Sequence, residues 1–157
     1  MKILIFTEGT ILKPSSPDKA HDYKSYVAIG KAVEKVNGFV EQGAEVSFLT
    51  SRDKFLEIKA IQDVLKTAGF IPIKLHARRE GEDYLSVVKA VMPDILIEDN
   101  CASLIEKEII SEKFPKQDLM IKAIVVNEFE GIDSLPDNID QLPTFGEKIE
   151  LPKDSEE

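Results

Sequence analysis

The 157-residue chain contains no Trp, a single Cys and no long apolar run. One Cys excludes an internal disulfide and a Cys-rich zinc site. A membrane-spanning helix needs about 20 consecutive apolar residues, and no segment approaches that length. The apolar run at the N-terminus, Ile3 to Phe6, is too short for a signal peptide. We therefore expect a cytoplasmic protein that has no membrane segment.

Negative charge dominates the composition but is unevenly distributed. The chain has 20 Lys and Arg against 29 Asp and Glu, a net charge of −9. Residues 128–157 contain ten acidic and two basic residues, a net charge of −8, so residues 1–127 carry only −1. Bulk electrostatics therefore disfavour nucleic acid and anionic membranes as partners. The nearly neutral body does not exclude an anionic ligand.

Short apolar runs alternate with segments of helical periodicity in the body. Continuous apolar runs are typical of strands buried on both faces of a parallel sheet. Such runs occupy residues 2–6, 45–50, 71–75, 94–97 and 122–126. Helical stripes lie between them, from Ile29 to Val40, Ile58 to Ala68, Leu85 to Met92 and Leu104 to Ile110. This order predicts a doubly wound, three-layer α/β domain over residues 1–127, with five mainly parallel strands.

The remaining residues, 128–157, form a second, acidic segment that contains three Pro residues. We expect an extended arm, anchored to the body by a few apolar side chains. The candidate anchors are Phe129, Leu135 and Phe145. The last residues, Lys153 to Glu157, are expected to be disordered.

Polar residues follow the predicted strands, at the edge of the sheet where ligands bind in this class of fold. Thr7 to Thr10 follow the first strand, Thr50 to Asp53 the second, and Glu98 to Cys101 the fourth. His76, Arg78, Arg79 and Glu80 follow the third. Carboxylates suit a divalent cation, and hydroxyl, backbone N–H and guanidinium donors suit a phosphate.

These segments resemble motifs of the haloacid dehalogenase-like (HAD) superfamily of phosphotransferases. That family opens with a strand that runs into Asp-x-Asp-Gly-Thr, and the aligned stretch here is Phe6-Thr7-Glu8-Gly9-Thr10. Its second motif is a strand that ends in Thr or Ser, matched by Phe48-Leu49-Thr50-Ser51-Arg52. Its fourth is a strand that ends in an acidic pair, matched by Ile95-Leu96-Ile97-Glu98-Asp99. The resemblance covers about residues 2–127, and its specificity comes from the order and spacing of the motifs.

The first motif departs from the family at the nucleophile. The family's first Asp forms an aspartyl-phosphate, whereas Phe6 cannot attack phosphorus or bind a metal. The second Asp is replaced by Glu8, which keeps the carboxylate. The chain therefore resembles a branch that lacks the nucleophile. Residues 11–26, where the family inserts cap domains, are too few for one, so we expect an open site.

The resemblance implies three sets of site residues. They are Glu8 as general acid/base; Glu8, Glu98 and Asp99 as ligands of Mg²⁺; and Thr10, Thr50, Ser51, Arg52, Arg79 and Lys89 as contacts of a phosphorylated ligand. Structural roles remain open for several of them. Glu8 could cap the turn at Gly9, Ser51 or Asp53 could cap the next helix, and the pair Glu98–Asp99 could cap a helix that starts near Ala102.

Three functions are compatible with these features. The first is a HAD-like protein that binds Mg²⁺ and a phosphorylated ligand, with its aspartyl-phosphate hydrolase activity lost or replaced by attack of metal-activated water, with Glu8 as base. The second is a non-catalytic binding or regulatory module with a protein partner. The third and weakest is a flavodoxin-like carrier of FMN, since some 16 residues separate the Thr7–Thr10 loop from the next helix and no Trp can stack on the flavin ring.

Overall fold

A parallel five-stranded sheet forms the centre of the protein in a computed structural model, which describes residues 1–71, 73–103, 109–113 and 121–144. The strands are β1 (Lys2–Phe6), β2 (Leu12–Lys13), β3 (Val27–Ala28), β4 (Glu45–Leu49), β5 (Leu75–His76), β6 (Ile95–Asp99) and β7 (Lys122–Val126). The sheet has the order β5-β4-β1-β6-β7, and every neighbouring pair is parallel. β2 and β3 form a separate antiparallel pair.

Helices flank this sheet and bury its two faces. They are α1 (Ala32–Glu41), α2 (Phe55–Ala68) and α3 (Tyr84–Val91). Alternate side chains of β1 enter different clusters: Ile3 and Ile5 pack with α1 and α2, whereas Leu4 and Phe6 pack with α3. Both faces of β1 are therefore buried, which explains its uninterrupted apolar sequence. The predicted α/β fold is confirmed.

The predicted strand boundaries agree best with the structure where the apolar run is uninterrupted. β1 and β7 have the predicted limits. β5 is only Leu75–His76, although residues 71–75 were predicted, because the chain first leaves α2 through Gly69 and buries Phe70. Ile71 is consequently 63% exposed and outside the sheet.

The helix predicted from Leu104 to Ile110 falls partly outside the described residues, because residues 104–108 and 114–120 are not among them. Within the described part, Ile110–Lys113 forms a 3₁₀ helix. Between β1 and α1, the described residues form only the β2–β3 pair and two 3₁₀ turns, Pro17–Lys19 and Tyr23–Ser25. This stretch contains no cap domain, as the sequence predicts.

Residues 128–144 pack against α1. Ile132, Leu135 and Leu142 are buried in the same cluster as α1. Lys35 of α1 donates hydrogen bonds of 2.6 Å to the Leu135 carbonyl and to Asp137 Oδ1. Leu135 is thus buried as predicted for an anchor, whereas Phe129 is 41% exposed. Phe145 and residues Lys153 to Glu157 lie outside the described residues.

None of the helices in the described part of the chain has the length and apolar character needed to cross a membrane.

Candidate functional site

A cleft opens at the point where the order of the strands reverses. β1 lies between β4 and β6, and the chain builds the sheet outward from β1 first on one side and then on the other. In parallel sheets this point forms a crevice beyond the carboxyl ends of the strands. The cleft here has a volume of about 320 Å³, and its polar lining includes Glu8, Ser51, Arg52, Arg78, Asp99 and Glu128.

A tight turn after β1 places Glu8 at this cleft. The Gly9 N–H donates to the Leu12 carbonyl at 2.8 Å, and the Thr10 N–H donates to the Thr7 carbonyl at 3.2 Å. Gly9 has φ +88°, a left-handed conformation that favours glycine. A Cβ at Gly9 would lie 2.8 Å from Asp99 Oδ2, closer than real Cβ contacts allow. The turn therefore requires glycine for both conformation and space.

The Glu8 carboxylate is bound by the residues that follow β4. Glu8 Oε2 accepts a hydrogen bond of 2.5 Å from Thr50 Oγ1. Glu8 Oε1 accepts from the Ser51 backbone N–H at 2.8 Å and from Ser51 Oγ at 3.0 Å. The hydroxyl groups predicted to bind phosphate are thus held by a carboxylate of the chain itself.

Two of the capping roles considered for these residues are wrong. Glu8 bonds to Thr50 and Ser51, not to the backbone of its own turn. Neither Ser51 nor Asp53 caps α2, because the residue at its N-cap is Lys54, which makes no side-chain capping bond.

Asp99 is the second carboxylate at the cleft. Its Oδ1 accepts a hydrogen bond of 2.8 Å from Thr10 Oγ1, and its Oδ2 accepts from the Cys101 N–H at 3.0 Å. Burial raises the pKa of Asp99 above its ordinary value, although the bonds from Thr10 and Cys101 oppose this effect. Thr10, a predicted phosphate contact, therefore orients Asp99.

Glu98 points to the opposite face of the sheet. Its two carboxylate oxygens accept from the backbone N–H groups of Ile110 and Ser111, at 2.6 and 2.9 Å. Burial raises the pKa of Glu98 to about 7, against the effect of these two donors. Glu98 and Asp99 therefore do not face one site, as shared ligands of Mg²⁺ would have to. Both lie in β6, where consecutive side chains alternate between the two faces of the sheet.

The predicted Mg²⁺ ligands do not fit one ion in this arrangement. Glu98 is directed away from the cleft, while the carboxylates of Glu8 and Asp99 are engaged with donors of the chain. Among the described residues, no group of three or more His, Cys, Asp or Glu side chains could hold a metal ion.

Two arginines at the cleft each stack their guanidinium on a tyrosine ring. Arg52 lies 4.7 Å from the centre of the Tyr23 ring, donates to the Tyr23 hydroxyl and forms an ion pair of 3.6 Å with Glu57. Arg78 lies 4.1 Å from the centre of the Tyr84 ring, and its Nη2 donates to the Ser51 carbonyl at 3.1 Å. Such stacking orients a guanidinium while leaving its edge free for hydrogen bonds.

Arg78 has an unsatisfied donor. Its Nε is buried and has no hydrogen-bond partner among the described residues. No carboxylate among those residues lies within 4.0 Å of its guanidinium, in contrast to Arg52. Buried polar groups are almost always hydrogen-bonded, and a charged one is costly to leave unpaired. Arg78 thus differs from every other buried side-chain donor or acceptor in the described structure.

Two predicted ligand contacts lie outside the cleft. Arg79 is exposed, and its side chain lines a separate groove with Ser47 and His76. Lys89 lies on the exposed side of α3 and does not line the cleft. Arg78, which lines the cleft, takes the place expected for Arg79.

The aromatic part of the site was missed by sequence reasoning. All three Tyr residues of the chain lie here: Tyr26 and Tyr84 line the cleft, and Tyr23 packs under Arg52. Burial raises the pKa of Tyr26 to about 12, so its hydroxyl stays protonated and donates to the Ala20 carbonyl at 2.6 Å. The sequence signal for this aromatic group was that the chain has only three Tyr residues.

Glu128 was also missed as a cleft residue. Its carboxylate accepts a hydrogen bond of 2.7 Å from the Ser103 N–H.

Comparison with known proteins finds similarity at the level of structure only. No protein-family model matches the sequence, and no curated protein is significantly similar to it. Among solved structures, the class C acid phosphatase from Bacillus anthracis with tungstate bound is 13% identical with a TM-score of 0.57, over 99% of this chain and 80% of that one. An uncharacterized protein from Listeria monocytogenes serotype 4b is 13% identical with a TM-score of 0.54, over 92% and 99% of the two chains.

These similarities show the fold, a Rossmann-like α/β fold shared with the class C acid phosphatase. At 13% identity they carry no activity or ligand to this chain. The function must therefore be argued from the cleft itself.

We predict that Gly9→Ala destabilises the protein more than Gly81→Ala. Both glycines have a left-handed backbone, with φ +88° and +84°, so both variants incur a strain of about 1–2 kcal/mol. Only at Gly9 does the new Cβ collide with Asp99, whereas nothing lies within 4 Å at Gly81. Urea denaturation of both variants measures the difference, and equal losses would contradict the close contact.

We also predict that the contribution of Glu98 to stability falls as the pH rises from about 4.5 to 7. In this window the folded protein keeps a proton on Glu98 that the unfolded chain has released, because burial raises the pKa of Glu98 from 4.5 to about 7. The full effect is up to about 3 kcal/mol. Urea denaturation at pH 5.0 and 7.5 checks it, and Glu98→Gln should reduce the difference. The same pH dependence in the wild type and in Glu98→Gln would show that the Ile110 and Ser111 donors offset the effect of burial.

Proposed function

We propose that this protein binds a phosphorylated ligand in the cleft and does not hydrolyse it through an aspartyl-phosphate. The observation that supports this most directly is the unsatisfied Nε of Arg78. Arg78 is held by the Tyr84 ring and the Ser51 carbonyl at the wall of the cleft. A phosphate oxygen would accept from the guanidinium and balance a charge that has no carboxylate partner among the described residues.

Arg52 supports the same assignment. It lines the cleft beside Ser51, to whose hydroxyl its Nε donates at 3.3 Å. Its ion pair with Glu57 joins side chains that are both about one-third exposed, so the pair is partly screened by solvent. An anion between Arg52 and Arg78 would meet two guanidinium groups, each already oriented by an aromatic ring.

The covalent route has no nucleophile at its usual place. Phe6 occupies the nucleophile position, is 5% exposed and packs edge-on against Tyr84 with ring centres 5.2 Å apart. Glu8, the aligned general acid/base, has both carboxylate oxygens occupied by Thr50 and Ser51. The cleft is therefore arranged for binding and not for covalent catalysis.

We predict that orthophosphate binds the wild-type protein and that Arg78→Met weakens this binding at least about tenfold. The loss of a hydrogen bond to a charged group costs about 1.5–3 kcal/mol, and tenfold corresponds to 1.4 kcal/mol. Isothermal titration calorimetry measures both affinities. Arg79→Met is the matched control, because it removes the same charge from the adjacent, exposed position.

Two outcomes would contradict this assignment. If Arg78→Met binds orthophosphate as well as the wild type does, the unsatisfied donor is not part of an anion site. If Arg79→Met loses the binding instead, the exposed arginine is the contact and the ligand lies in the groove near Ser47.

We further predict no hydrolysis of p-nitrophenyl phosphate above the uncatalysed rate, with or without added Mg²⁺. The reason is that Phe6 cannot form the covalent intermediate and Glu8 is bound to Thr50 and Ser51. A colorimetric assay at pH 5.5 and 7.5 tests this. Robust turnover by the wild type that Glu8→Ala abolishes would overturn the non-hydrolytic function.

A further inference from the structure

The three donors around Glu8 form a compact anion site. The Thr50 hydroxyl, the Ser51 N–H and the Ser51 hydroxyl all point to one carboxylate, at 2.5, 2.8 and 3.0 Å. Thr50 is fully buried, and its Oγ1 also accepts from the Arg52 N–H at 3.1 Å, which directs its proton toward Glu8. Charge-assisted hydrogen bonds of this kind favour a negative group at this position.

Glu8 is held in this site by neutral donors alone. Within the described residues it has no Lys, Arg or His partner within 4.0 Å, although Arg52 and Arg78 line the same cleft. The side chain is half-buried, and its backbone is fixed by the turn at Gly9, whose carbonyl accepts from the Phe129 N–H at 2.8 Å. Rotation of the side chain into the cleft would release the carboxylate, at the cost of its three hydrogen bonds and without breaking an ion pair.

We propose that Glu8 is a specificity-determining residue that occupies the position of a phosphoryl group. A ligand phosphate reaches Thr50 and Ser51 only by displacing the Glu8 carboxylate, so Glu8 lowers the affinity of the cleft for anions that cannot compete with it. This inference rests on the proposed phosphate-binding function and names the side chain that controls it. A phosphate dianion competes best, since it carries more charge and more acceptor oxygens than a carboxylate.

The test compares orthophosphate binding to the wild type and to Glu8→Ala by isothermal titration calorimetry at pH 7.5. Removal of the carboxylate leaves the three donors for phosphate, so we expect the dissociation constant to fall at least about tenfold. Glu128→Ala is the matched control. It also removes one negative charge from the lining of the cleft, but Glu128 bonds to Ser103 and not to Thr50 or Ser51. For Glu128→Ala we expect the dissociation constant to fall less than about threefold, the effect of the removed charge alone.

A second variant separates displacement from a general electrostatic effect. Thr50→Val removes the shortest of the three donors with little change in shape, and we expect it to cancel most of the gain when combined with Glu8→Ala. Circular dichroism of every variant verifies the fold. If Glu8→Ala does not fold, Glu8→Gln removes the charge and keeps the length of the side chain.

The outcomes distinguish this inference from the function on which it rests. Tighter binding by Glu8→Ala, cancelled by Thr50→Val, supports the inference. Equal affinities of the wild type and Glu8→Ala, or equal gains for Glu8→Ala and Glu128→Ala, overturn it and leave phosphate binding through Arg78 intact. No binding by any variant overturns the proposed function itself.

Discussion

The cleft depends on the close approach of Gly9 to the carboxyl group of Asp99. A side chain at Gly9 would meet that carboxyl at 2.8 Å, so the turn after β1 can rest against the end of β6 only with glycine there. Thr10 then donates to Asp99, and the Gly9 carbonyl accepts from Phe129. The turn at Gly9 thus connects β1 with β6 and with the C-terminal segment, residues 128–144.

This contact also decides how the charges of the cleft are satisfied. With the turn in place, Glu8 reaches Thr50 and Ser51, while Asp99 is held by Thr10 and Cys101. Both carboxylates of the strand ends therefore find donors within the chain. The Nε of Arg78 has no acceptor among the described residues, although its Nη2 donates to the Ser51 carbonyl. The polar rim predicted from the sequence therefore has its unsatisfied donor on a guanidinium, whereas its two carboxylates at the cleft are hydrogen-bonded.

The sequence predicted the fold because β1 and β7 are continuous apolar runs and α1, α2 and α3 have clear helical stripes. It also placed Glu8, Thr50 and Ser51 at one edge, since the carboxyl ends of parallel strands converge. It could not decide which of two adjacent residues faces the cleft. A shift of one residue reverses the face in a strand, so the orientation of Glu98 and Asp99 depended on register. Arg78 and Arg79 follow a β5 of only two residues, so no strand pattern indicated which of them faces the cleft.

The two departures from the HAD motif belong to one arrangement. The Phe6 ring packs against Tyr84, the face of Tyr84 carries Arg78, and Arg78 donates to the Ser51 carbonyl. Glu8 approaches the same Ser51 from the turn side, with a side chain one methylene longer than the aligned Asp. An Asp at position 6 would supply no ring to support Tyr84. Phe6 therefore helps, through Tyr84, to hold a guanidinium beside Ser51 at the wall of the cleft.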